Sequence, residues 1–148
     1  MDERAPGRLL ATPSWLVGQT AVQSRRIIGA AFAAAEASGY HYRLLLSLAE
    51  FGPASQATLG RRTGIDRSDV VAALNELSTA GYVDREIDPD DRRRNIITLT
   101  AAGRRQLERL DRFVEAAQEE LFAPLSAAER GQLTRLLARV VEHHAQAD

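Results

Sequence analysis

Apolar residues recur at helical spacing through most of the chain. From Trp15 to Ala37 a run rich in Ala, Ile and Val has no internal proline. Pro13-Ser14 reads as its entry, and Ser38-Gly39 as its stop, so a long first helix is predicted. Leu44, Leu45 and Leu48 share one face of a second helix, from about His41 to Glu50, which Gly52-Pro53 breaks. Two shorter helices follow. Ser55 caps the first, which carries Ala57, Leu59 and Arg61-Arg62 and stops at Gly64; Asp66 caps the second, whose Val70, Ala73, Leu74 and Leu77 form a buried stripe. The opposite face of that helix, Arg67, Ser68, Val71, Ala72, Asn75 and Thr79, is left to solvent, and Gly81 ends it.

Past Gly81 the period changes. Tyr82 to Ile87 and Asn95 to Leu99 are β-prone, and DPDDRRR lies between them. Asp88-Pro89-Asp90 has turn chemistry, because proline presets the first turn dihedral and aspartate tolerates the next. A hairpin with a charged tip is expected. Thr100 then caps a helix from 101 to about 121, with Leu107, Leu110, Val114, Ala117 and Leu121 spaced alternately by three and four, the periodicity of a helix packed on a partner helix. Pro124 interrupts. Ser126 and Glu129 form a capping box for a last helix, whose Leu133, Leu136, Leu137, Val140 and Val141 make another stripe. The leucine stripes are expected to be core.

Composition narrows the function classes. With 148 residues, 45% of them apolar, the chain suits one domain, 1–148, with a real core. Having no cysteine, it cannot use disulfides, Cys-ligated zinc or thiol redox sensing. No apolar run approaches the roughly 20 residues of a membrane span, and the first fifteen residues lack a signal-peptide core, so a cytoplasmic protein without a membrane partner is expected. Net charge is −1, divided as +1 over residues 1–60, +1 over 61–105 and −3 over 106–148. Any positive field therefore comes from local clusters, Arg61-Arg62, Arg92-Arg93-Arg94 and Arg104-Arg105. There is no nucleophile with its base, no glycine-rich phosphate loop and no metal-ligand cluster; an enzyme, a cofactor and a metal site are not expected. His143 and His144 are adjacent, so on a helix they point about 100° apart and are not placed to share a metal.

Two short helices joined by Gly-Ile-Asp have the form of a helix-turn-helix. Together with GIDRSDVVAALNELSTAGYVDRE, the stretch DPDDRRRNIITLT with its Asp91 and Arg93, and the following AAGRR, the chain resembles the MarR family of winged helix-turn-helix regulators. The specific motifs cover residues 40 to 105. The resemblance implies a mainly α fold of about six helices plus a small β-hairpin wing. In it, residues 40–103 form the winged lobe, while helices within 13–38 and 104–148 interdigitate with those of a second copy. It implies a homodimeric regulator, usually a repressor of nearby genes, that binds double-stranded, pseudo-palindromic DNA and is released by a small, commonly aromatic, ligand. Carried over by position, Arg67, Ser68, Asp69, Val71, Ala72 and Asn75 face the major groove. Arg93 enters the minor groove with Asp91 steadying it, and Arg92 and Arg94 flank it at the tip. The chain departs from many relatives in that, where they carry a basic residue, it has Ala72 or Glu76, which shifts weight from the helix to the wing.

The chemistry of these residues supports the same roles. Arginine suits guanine edges or the negative potential of a narrow minor groove, and asparagine can pair with adenine's edge. Free amides at the start of the helix, near Arg67, Ser68 and Asp69, can hold a phosphate. Each feature has a plainer reading. Arg92 to Arg94 would otherwise be a solvated tip paired with Asp88, Asp90 and Asp91, and Arg61-Arg62 an exposed helix face rather than a phosphate contact. Trp15 is expected to anchor the first helix in a dimer core, with an aromatic-ligand wall as the alternative; His41 to cap or line the start of its helix, with ligand contact as the alternative. The acids Asp69 and Glu76 and the near-neutral charge motivate a second function, a winged-helix protein-interaction module that does not bind DNA.

Overall fold

The structure is a computed structural model that describes residues 3–146; Met1, Asp2, Ala147 and Asp148, the ends of the expected 1–148 domain, lie outside the described residues. Elements run α1 (Gly7–Leu10), α2 (Pro13–Ala34), α3 (Gly39–Phe51), β1 (Ala54–Ser55), α4 (Gln56–Thr63), α5 (Arg67–Thr79), β2 (Val83–Ile87), β3 (Asn95–Leu99), α6 (Ala101–Leu121) and α7 (Ala127–Ala145). The expected helices and hairpin are all present, and α1 and β1 are additions. β1 is too short to announce itself in sequence; it joins the hairpin only because Ala54 pairs with Ile97 and Ser55 with Ile96, giving an antiparallel sheet of order β1-β3-β2.

The caps decide the boundaries. Ser55 accepts from the Thr58 amide, Thr100 from the Gly103 amide, and Ser126 and Glu129 exchange both bonds of a capping box. Gly64 closes α4 in the left-handed conformation, φ 66. One boundary differs from the sequence reading. Ser38-Gly39 does not stop α2: Glu36, at φ 56, takes the left-handed position, with its own amide on the Ala33 carbonyl and the Ala37 amide on that of Phe32. That is a Schellman turn formed on a residue without glycine's freedom. Ser38 instead caps α3, accepting from the His41 amide while His41 Nδ1 accepts from the Ser38 amide.

The core lies in the lobe. Leu44, Leu45 and Leu48 of α3, Leu59 of α4, Val70, Leu74 and Leu77 of α5, and Val83 and Ile97 of the sheet pack with Leu107 and Leu110 of α6. α6 begins hard against the hairpin: the Tyr82 carbonyl accepts from the Thr100 amide, and a β-carbon at Gly103 would collide with that carbonyl. Further along, α6 braces the α2–α3 corner. Arg109 Nη1 donates to the Ala35 carbonyl at 3.0 Å, and the Tyr42 hydroxyl to Asp111 at 2.8 Å. Burial, and then the Asp111 carboxylate, push the Tyr42 phenol up to about 12, which keeps it the donor of that bond.

The last stripe is not core within the chain. α7 buries none of its residues fully, and Leu136 (57% exposed), Val140 (58%) and Val141 (67%) face outward. Leu10 and Val17, at the other end of the sequence, are likewise open. The periodicity identified an apolar face correctly, but no element of the described chain covers it. No described helix is long and apolar enough to cross a membrane.

Candidate nucleic-acid interface

α5 is amphipathic in the predicted sense. Val70, Ala73, Leu74 and Leu77 are buried, while Arg67, Ser68, Val71, Ala72 and Asn75 are exposed, and Asp69 is half-buried. Asp66 caps the helix: its carboxylate takes the Ser68 amide at 3.3 Å and the Ser68 hydroxyl at 2.6 Å. The hydroxyl, then the amide, hold this carboxyl below the usual carboxylate range. The Ser68 amide is thus already occupied by a carboxylate, which disfavours the phosphate site expected there; the Ser68 oxygen keeps its acceptor capacity toward solvent.

The hairpin tip is built by acids. Asp88 is 4% exposed, and its Oδ2 receives Arg94 Nη2 at 2.6 Å and Nε at 3.0 Å, while Oδ1 receives the Asp90 amide at 2.9 Å. These bonds, the guanidinium first, hold Asp88 below the ordinary carboxylate range. Asp91 Oδ1 takes the Arg93 amide at 3.0 Å and lies 3.4 Å from Arg93 Nε, leaving the Arg93 side chain 92% exposed. Three consecutive arginines therefore have three environments. Arg94 is tied to the base of the tip, Arg93 is extended and lightly steadied, and Arg92 is exposed with no ion pair among the described residues.

Arg93 and Arg94 meet Arg67 across a cleft of about 720 Å³, which Arg61, Val71 and Asn95 also line. The structure thus brings together candidates from α4, α5 and the hairpin on one concave surface. Arg62 is not among them: its guanidinium stacks 4.7 Å from the ring centroid of Phe51. Of the Arg61-Arg62 pair, Arg61 is the one on the cleft, with Nη2 donating to the Thr58 hydroxyl at 3.1 Å.

Glu76, the acid that weakened the helix's charge, is turned to α3, where His41 Nε2 lies 2.7 Å from its Oε2. Because His41 Nδ1 accepts from Ser38, the neutral ring carries its proton on Nε2 and donates it to Glu76. His41 caps its helix as expected, and it also reaches α5. Trp15 is half-buried in the first turn of α2. The rest of that helix, roughly 28 Å at 1.5 Å per residue, separates it from the corner that precedes His41. The two ligand candidates of one chain therefore do not line a common pocket.

Sequence reasoning passed over Arg85. It lies on β2 on the same side as the buried Val83, reaches α5, and donates Nη2 to Asn75 Oδ1 at 2.8 Å. The signal was there in the alternation, which places a charged side chain at an inward strand position.

A family model described as the MarR family matches residues 38–94. A putative transcriptional regulatory protein for the hcr operon of Thauera aromatica is 35% identical over 99 residues, 67% of this chain and 60% of that protein. The uncharacterized HTH-type transcriptional regulator YcgE of Bacillus subtilis (strain 168) is 39% identical over 116 residues, 73% of this chain and 68% of that one. The chain thus spans about three fifths to two thirds of the length of these curated relatives. Among solved structures, the PcaV transcriptional regulator of Streptomyces coelicolor in complex with its natural ligand superposes with a TM-score of 0.75 at 27% identity, covering 96% of this chain and 98% of that one.

Proposed function

This chain belongs to the MarR family, and from that premise we propose that it is a homodimeric, DNA-binding transcriptional regulator, a repressor of nearby genes released by a small aromatic ligand. It is a regulator rather than an enzyme, and its work on DNA places it in the cytoplasm. The observation that carries the reading is the convergence of Arg67 on α5 with Arg93 on the wing around one cleft. α5 lies in the major groove, where Arg67 donates to a guanine edge and Asn75 meets an adenine edge; Ser68, Asp69, Val71 and Ala72 complete the face. Arg93 extends from the tip into the minor groove, where a narrow groove concentrates negative potential. Asp91 limits its excursions, Arg92 and Arg61 neutralise flanking phosphates, and Arg94 acts mainly through Asp88 to hold the tip.

Dimerisation follows from the open apolar faces of α1, α2 and α7, which a second copy would cover, with Trp15 anchoring α2 there. Two lobes related by a twofold axis read half-sites about one helical turn, roughly 34 Å, apart. The PcaV relative is known with its natural ligand, which supports an effector here too. A ligand that accepts the hydrogen bond from His41 Nε2 competes with Glu76 and so loosens the tie between α3 and the recognition helix.

Replacing Arg93 with Ala tests the wing. Operator affinity, read by fluorescence anisotropy across a salt series, is expected to fall at least tenfold. The log–log salt slope should decrease by about one per wing. Unchanged affinity for the intact operator would sink the assignment.

A further inference from the structure

We propose that Arg85 is a positioning residue for base recognition: by holding Asn75 Oδ1 it fixes which end of the carboxamide meets the DNA. This rests on the reading of α5 as the recognition helix and deepens it to one base pair per half-site.

Arg85 is a charged side chain on the inward side of β2, facing α5 and half-buried. Its Nε is buried without a hydrogen-bond partner, and among the described residues it forms no ion pair. A guanidinium placed so, at a desolvation cost, is not explained by charge pairing. Among the described residues its side chain makes one hydrogen bond, Nη2 to Asn75 Oδ1, at 2.8 Å.

That bond has only one possible polarity. A guanidinium has donors and no acceptor, so the carboxamide must turn its oxygen to Arg85 and its NH2 group away. Left alone, the terminal torsion of asparagine is broad and close to twofold, and the two ends exchange with little cost. An asparagine free to flip offers donor and acceptor to a base in either order. With Arg85 in place the order is set: the oxygen end is held, one lone pair of Oδ1 is taken and the second remains open to a base. That leaves one acceptor and one donor side by side for adenine N6 and N7. The bond from a cation also polarises the amide and strengthens its NH2 as a donor. Arg85 itself touches no base.

The test is a selection from a library of operators randomised within each half-site, with the full chain as wild type, Asn75→Ala, Arg85→Met, Arg85→Lys and the Asn75→Ala/Arg85→Met double variant. Asn75→Ala should flatten the preference at one base pair of each half-site, roughly five- to hundredfold in relative affinity. Arg85→Met should flatten the same pair and no other, with an unchanged salt slope, and the double variant should go no further than Asn75→Ala. Arg85→Lys, which keeps a donor but not the planar fork, should fall between. A uniform loss of affinity for Arg85→Met with a shallower salt slope would make Arg85 a phosphate contact and overturn the proposal. So would an intact preference at that pair in both Arg85 variants. If Asn75→Ala alters no position while operator binding persists, there is nothing for Arg85 to position; the proposal falls and the DNA-binding reading stands.

Discussion

Asp88 organises the wing from within, receiving the Arg94 guanidinium on one oxygen and the Asp90 amide on the other. Its carboxyl is held below the ordinary range because the folded tip binds the charged form better than the unfolded chain does. The depressed value fixes the sign. The tip's stabilisation is complete above the unfolded carboxylate value, about 3.9, and is lost as pH falls through the lower folded one. The NMR shift of the Asp90 amide should therefore inflect below the ordinary aspartate range. In Asp88→Asn, which cannot hold the guanidinium as an ion, that inflection should vanish and the amide should exchange faster at neutral pH. An inflection at or above the ordinary value would contradict the arrangement. At this scale the sequence was least informative: Arg92, Arg93 and Arg94 look alike in a row, and only the folded tip determines which acid each one reaches. For Arg85 the alternation marked an inward charge, but its partner, ten residues away on a helix, was hidden for the same reason.

Elements were far more legible, because each is written in local chemistry. The caps Ser55, Asp66, Thr100 and Ser126 all hold the helices they were expected to hold. The exception is the end of α2, where a glycine looked like a stop while Glu36 took the left-handed turn, at a corner that Arg109 and Asp111 brace. α7 shows the other limit of local reading. Its stripe has helical period, and nothing in a period says whether the cover comes from the same chain. If a second copy supplies it, Val140→Asp should raise the dimer dissociation constant by roughly tenfold or more, as a carboxylate is buried without a partner. Sedimentation would show monomer at concentrations where the wild type is dimeric. An unaltered association state would remove α7 from the interface.

On the scale of the whole molecule, a near-neutral chain presents cations where they converge. The cleft between α5 and the wing carries Arg61, Arg67 and Arg93, while Glu76, whose charge argued for a protein-interaction module, is drawn away to His41. The family resemblance was legible because it rides on contiguous motifs from Gly64 to Arg105. An effector pocket was not, because Trp15 and His41 stand at opposite ends of α2. The His41–Glu76 contact joins α3 to α5, and the Arg109–Ala35 bond joins α6 to the corner before α3. Reading of DNA by two such lobes in a dimer is the property on which the proposed function turns. It is tested most directly by selecting genomic fragments with the full chain at low salt. Enriched fragments should share paired half-sites with centres about one helical turn apart, bound with an affinity that falls linearly with salt on logarithmic axes. Enrichment of no fragment, even at the lowest salt, would contradict it.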